Sequence, residues 1–312
     1  MNCRQAVCGE FGRLKGVEYM KEKRAPKSIA TINFKGGVGK TTCTWCLGDL
    51  LSTFGKSNVL LFDLDAQMSL TQAITLNEDG SLVQQFQTWA DKSYKKKKTI
   101  FHAIEEYTDG NNFNFGVNYE FIYQISDRYH FVPSVEDLYW LALDVIPRDK
   151  MQTFMRSLLS KITWSTNVAA YDYALFDCPP SFTLLSYSVL SVCDMILIPI
   201  NPDFYAAKGV PLILNMLQMQ IEPLPVPKIG VFMNKAKPYG GSMTKESRFY
   251  WDSVKDVCQQ FSKKSGIKIR CFESPIYDRV KIKRAVTSGG VPAEFVNDFK
   301  LLWNNIERFI NE

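Results

Sequence analysis

The chain has 312 residues, 46% hydrophobic and 22% charged, enough apolar content to bury a large core in one big domain or two small ones. No apolar run approaches the roughly 20 residues that span a bilayer, and the N-terminal MNCRQAVCGEFGRLKG lacks the apolar centre of a secretory signal, so a cytoplasmic protein is expected. The net charge of +5 is mild, and eight irregularly spaced cysteines read as reduced thiols rather than a disulfide framework.

Residues 1–27 form a polar, basic extension, too short for a separate DNA-reading domain, and either Met1 or Met20 begins the chain. Apolar runs of strand length then recur at Ser28–Phe34, Asn58–Asp63, Tyr173–Asp177, Met195–Ile200 and Lys228–Met233, with helical-looking segments between them. Nearly continuous hydrophobic strands alternating with helices predict an α/β fold, a mainly parallel twisted sheet with helices on both faces. An insertion over about 74–130 interrupts the alternation with polar, aromatic and Gly/Asn-rich sequence, including the run Lys95–Lys98, read as a solvated loop tip. From Ala293 to Ile310, the residues Phe295, Phe299, Leu302, Trp303, Ile306, Phe309 and Ile310 recur at helical spacing, which predicts a terminal helix docked on the body.

Ligands of such sheets sit at the carboxyl ends of the strands, and the chemistry-bearing residues fall there. The first run leads into Lys35-Gly36-Gly37-Val38-Gly39-Lys40-Thr41-Thr42. Glycines let backbone N–H groups turn inward around phosphate oxygens, and the following helix adds its positive end. Lys40 can reach the β- and γ-phosphates, and the Thr41 hydroxyl can ligate Mg²⁺. The usual G-x-x-x-x-G-K-[ST] pattern is broken because Phe34 occupies the first glycine position. Cys43 and Cys46 make a CxxC inside the next helical segment, where packed helix residues are the expectation over a metal site.

The second run ends in LLFDLDAQ, residues 60–67. Neighbouring Asp63 and Asp65 project alternately, so at most one should face a γ-phosphate if the strand continues. The third ends in Asp177-Cys-Pro-Pro, an apolar strand closing on a carboxylate that belongs near Mg²⁺. The last leads to Asn234, whose amide offers a donor and an acceptor suited to the edge of adenine.

Together KGGVGKTT with its additional lysine, DLDAQ and DCPP resemble the deviant Walker A box and companion motifs of the ParA/MinD superfamily of P-loop ATPases, over residues 28 to about 310. The resemblance implies a single ATPase domain over 28–312 that uses ATP and Mg²⁺. Lys35 would be the signature lysine that crosses a homodimer interface to the partner's phosphates, much as an arginine finger does. It implies that Asp65 orients the attacking water and that Asp63 joins the magnesium shell. Ala66 departs from the family's proline with both carboxylates intact. The segment from Ser274 aligns loosely with a stretch that flanks adenine, making Pro275 and Ile276 candidates there, although Arg284 stands where the family has glutamate.

Within the superfamily, the partition branch forms ATP-dependent dimers on nonspecific DNA, released by adaptor-stimulated hydrolysis, to segregate plasmids or chromosomes or to position protein cargo such as carboxysomes. Its basic C-terminal third has a counterpart here, with eleven Lys/Arg against five Asp/Glu between Lys245 and Arg284. Arg248, Lys255, Arg279, Lys281, Lys283 and Arg284 are the candidate DNA contacts, Lys281 foremost. A nucleoid-associated location, a ParB-like or other adaptor and slow intrinsic hydrolysis follow from the same resemblance. The alternatives are a MinD-like membrane-associated ATPase and an iron–sulfur relative. Against the first, Glu294, Asp298, Glu307 and Glu312 outweigh Lys300 and Arg308 in the terminal helix. Against the second, no cysteine pair occupies the bridging place.

Overall fold

The computed structural model describes residues 24–76, 99–110, 121–142, 148–164, 170–221, 226–239, 242–278, 291 and 293–312. Its centre is an eight-stranded sheet built from β1 (Lys27–Thr31), β2 (Val59–Asp63), β3 (Tyr123–Ser126), β4 (Tyr129–Val132), β5 (Tyr173–Asp177), β6 (Met195–Ile200), β7 (Lys228–Met233) and β10 (Ile269–Phe272). The order across the sheet is β10-β7-β6-β1-β5-β2-β4-β3, and every pairing is parallel except β3 with β4. The five strands expected from the sequence are its centre. β8 (Pro238–Tyr239) and β9 (Ser242–Met243) form a separate two-stranded ribbon.

Three strands of this sheet were not foreseen, nor was the β8–β9 ribbon. β3 and β4 arise from the interval read as an insertion, so part of that stretch belongs to the sheet itself. They are short, and β3 alternates half-buried with exposed residues as an edge strand does. β10 lies within the basic C-terminal third, where charge obscured its four-residue run.

Alternation along the central strands divides the core into two layers. Leu60 and Phe62 join Ala30, Ala174 and Phe176 on one face, packed against α3 (Ile100–Gly110), α4 (Arg148–Trp164), α5 (Leu184–Leu190), α6 (Phe204–Ile221) and α7 (Lys245–Ser265). Val59 and Leu61 join Ile29 and Leu175 on the other, against α1 (Lys40–Thr53), α2 (Ser69–Thr75) and α8 (Ala293–Asn311). All seven apolar positions foreseen in the terminal helix are buried in this second layer. Cys43 and Cys46 pack there too, and burial pushes the Cys43 thiol up to about 12, which leaves it protonated and inert near neutrality. No helix among the described residues is long and apolar enough to cross a membrane.

Candidate nucleotide-binding site

Parallel register sets the site. Thr31 of β1 and Asp63 of β2 both lie level with Asp177 of β5, so three strand ends stop at one line and their loops meet above it. From β1 the chain passes through Asn33, whose amide donates to the Pro199 carbonyl at 2.8 Å and whose Oδ1 accepts the Lys35 N–H at 2.9 Å. This fixes the start of the glycine loop. Gly37 and Gly39 have φ of 73° and 90°, backbone that favours glycine, and Gly39 leads directly into α1.

The loop encloses a cavity of about 340 Å³, lined by Gly36, Gly37, Gly39, Lys40, Thr41 and Thr42, with Asp65, Gln67, Ser69, Pro180, Asn234 and Lys235 opposite. Val38 is buried beneath it. Lys40 is itself mostly buried, and desolvation lowers its pKa while the carboxylates of Asp177 and Asp65 oppose that shift. Asp177 is held well above the usual carboxylate range, first by burial and then by Asp63 beside it. The Thr41 hydroxyl and Lys40 partly offset this. Its Oδ1 is buried without a hydrogen-bond partner. An orphaned carboxylate oxygen beside a threonine hydroxyl suits a hard, oxygen-seeking cation such as Mg²⁺.

Of the DLD pair, only Asp65 lines the cavity. Asp63 is fully buried and already occupied: Oδ1 accepts the Asp65 N–H at 3.1 Å, and Oδ2 accepts the Thr71 N–H and hydroxyl at 2.8 and 2.7 Å. Both Asp63 oxygens thus meet protein donors and the residue does not itself line the cavity, where the resemblance implied a place in the magnesium shell. Asn234 lines the cavity and also braces the loop. Its amide nitrogen donates to the Val38 carbonyl at 2.7 Å. Ile276 is fully buried, its N–H bonded to the Met233 carbonyl, and neither it nor Pro275 lines the cavity. Lys235, at φ 55°, was missed by sequence reasoning; its ammonium donates to the Gly37 carbonyl. Only its place directly after Asn234 could have marked it.

Lys35 stands apart from the cavity that its neighbours line. Its ammonium meets Asp203 Oδ2 at 2.6 Å and lies 5.2 Å from the centre of the Tyr205 ring. Among the basic candidates, Lys255 is clasped by Asp252 and Glu273 at 2.8 and 3.0 Å, and Arg248 lies 3.7 Å from Glu273. Arg279, Lys281, Lys283 and Arg284 lie outside the described residues.

A family model described as an AAA domain (AAA_31) matches residues 26–224, well over half of the chain. The chain belongs to this family, as a ParA/Soj-type P-loop ATPase. This ParA-type chain is 26% identical over 193 residues to the sporulation initiation inhibitor protein Soj of Bacillus subtilis, a match spanning 62% of the chain and 65% of that relative. In fold it is similar to an ATP complex of a Cyanothece McdA variant, with a TM-score of 0.65 at 20% identity over 88% of this chain and 94% of that one. It also resembles pNOB8 ParA bound to nonspecific DNA, with a TM-score of 0.62 at 21% identity, over 91% and 99% of the two chains.

Proposed function

We propose that this ParA-type chain is a nucleotide-switched positioning ATPase. Mg-ATP closes two copies into a dimer that holds nonspecific DNA, and hydrolysis stimulated by a ParB-like or other adaptor releases it. The observation that carries this reading is the division of labour between two lysines five residues apart. Lys40 lines the cavity of its own subunit, while Lys35 stays outside it, ion-paired with Asp203, and would leave that pair to complete a partner's site.

The glycine loop would receive the phosphates on its N–H groups, with Lys40 supplying charge to the transferred phosphoryl group. Thr41 and Asp177 would hold the Mg²⁺, which neutralises phosphate charge when bound. Asp65 would orient the attacking water, and Asn234 and Lys235 would hold the loop in shape through the Val38 and Gly37 carbonyls. Residues 28–312 would act as one ATPase domain behind the basic extension 1–27. A cytoplasmic, nucleoid-associated protein without a membrane partner is the matching location.

The deciding experiment measures DNA binding with ATP, ADP and no nucleotide across a salt series. Binding should require ATP, and its logarithmic salt slope should be about 0.9 per phosphate contacted. Equal binding in all three nucleotide states would sink this reading.

A further inference from the structure

Four residues, Asp63, Asp65, Ser134 and Thr71, close a ring of hydrogen bonds, and one of them, Asp65, faces the cavity. Asp63 ends β2, and the last bond to the neighbouring strand is the Leu64 N–H on the Asp177 carbonyl at 3.0 Å. At Asp65 side chains add to one backbone bond, in which the Asp65 carbonyl accepts the Met68 N–H at 2.8 Å. The Asp65 N–H donates to Asp63 Oδ1, and its carbonyl also accepts the Ser134 hydroxyl at 2.7 Å. Thr71 of α2 joins these two supports: its hydroxyl donates to Asp63 Oδ2 at 2.7 Å and accepts the Ser134 N–H at 2.9 Å. Asp63, Thr71 and Ser134 are each fully buried. The Asp65 carboxylate is itself turned back, with Oδ1 accepting the Gln67 N–H at 3.0 Å. Among the described residues, its other oxygen has no protein donor.

From this geometry we infer that Thr71 and Ser134, with Asp63 as their anchor, are positioning residues for hydrolysis: they fix the backbone of Asp65 so that its free carboxylate oxygen meets the attacking water. The inference rests on the reading of Asp65 as the water-orienting group. A strand and a helix can be joined without enclosing one peptide unit from both sides. Here Asp63 and Ser134 meet the two polar backbone atoms of a single residue, and Thr71, eight residues beyond Asp63 and 63 before Ser134, ties them together. Side chains that set a reacting group within a fraction of an ångström influence rate far more than ground-state binding. None of the three lines the phosphate cavity, so ATP affinity does not depend on them directly.

Ser134→Ala removes the hydroxyl on the Asp65 carbonyl and keeps the N–H that meets Thr71. Thr71→Val removes the linking hydroxyl at nearly constant shape, and Thr71→Ser restores it. Each variant is assayed with Mg-ATP for affinity, using a fluorescent ATP analogue, and for single-turnover hydrolysis. Ser134→Ala and Thr71→Val should hydrolyse about tenfold to a hundredfold more slowly with affinity within about twofold, and Thr71→Ser should recover most of the rate. Parent-like hydrolysis by Ser134→Ala would overturn the inference, and so would parallel losses of affinity and rate, or a Thr71→Ser as slow as Thr71→Val. Should Thr71→Val not fold, Ser134→Ala carries the test, since it deletes a single oxygen. Asp65→Ala measured alongside separates the two readings. Parent-like hydrolysis there removes the role of Asp65 itself. An inactive Asp65→Ala beside a parent-like Ser134→Ala leaves that role standing and rejects only the ring.

Discussion

Gly39 and Asn234 are fitted to each other. A Cβ on Gly39 would lie 2.2 Å from the Asn234 amide nitrogen, so the missing side chain lets Asn234 reach the Val38 carbonyl. That carbonyl belongs to a buried loop residue, and a buried acceptor left without a donor costs about 1–3 kcal/mol. Asn234→Ala should lower stability by about that amount in denaturant melts and weaken ATP binding through a loosened loop. Asn234→Asp replaces the donating amide with a carboxylate and should be the more damaging of the two. An alanine variant with parent-like melting would show that this amide does not hold the loop. The Asn-Lys pair was visible in the sequence as a strand end with hydrogen-bonding capacity. Whether that capacity turned toward a base or toward the loop depended on how close β7 comes to β1 across β6.

At the scale of elements, helix α7 shows how a local charge count can mislead. The span from Lys245 to Arg284 is basic overall, yet Glu273, immediately after β10, accepts from Lys255 and the Trp251 indole and lies close to Arg248. These are exposed or half-exposed pairs of small energetic weight, so DNA could compete for their cations. Glu273→Gln keeps an acceptor for Trp251 and removes the competing charge. It should tighten ATP-dependent DNA binding several-fold and steepen the salt slope by about 0.9 for each cation newly placed on a phosphate. An unchanged slope would remove Arg248 and Lys255 from the DNA-binding surface. Helix α8 was easier to read, because seven apolar residues at helical spacing needed only a sheet face to cover. The edge strand β3 and its neighbour β4 were harder, because four residues give too short a period.

For the whole molecule, the open question is the second copy. Lys35 sits on Asp203 of its own chain beside the exposed rings of Phe204 and Tyr205, a partly solvated ion pair that a stronger anion could displace. Lys35→Ala should bind ATP like the parent and hydrolyse it at least about a thousandfold more slowly, the scale associated with a charge supplied in trans. Light scattering with Mg-ATP would report whether dimers still form. Full hydrolysis by this variant would refute the shared-site proposal. A mixture of Lys35→Ala and Asp65→Ala chains is the complementary assay. If each lysine serves its partner, a mixed dimer carries one site with both defects and one with neither, and activity should partly return.

The sequence by itself determined the parallel α/β architecture, the phosphate loop and the carboxylates around it. Those features live in short contiguous stretches: apolar runs that only a doubly covered sheet can bury, and glycines followed by GKT at a helix start. Tertiary structure alone decided which carboxylate is spent on the protein and which remains free. Asp63 and Asp65 are two residues apart and chemically identical, and neither spacing nor composition separates them. The separation comes from Thr71 and Ser134, brought from α2 and the end of β4: Thr71 occupies one oxygen of Asp63, and Ser134 holds the carbonyl of Asp65. Hydrogen bonds between residues far apart in sequence exist only once the sheet has assembled its strands in order, which is why this part of the site could not be read beforehand.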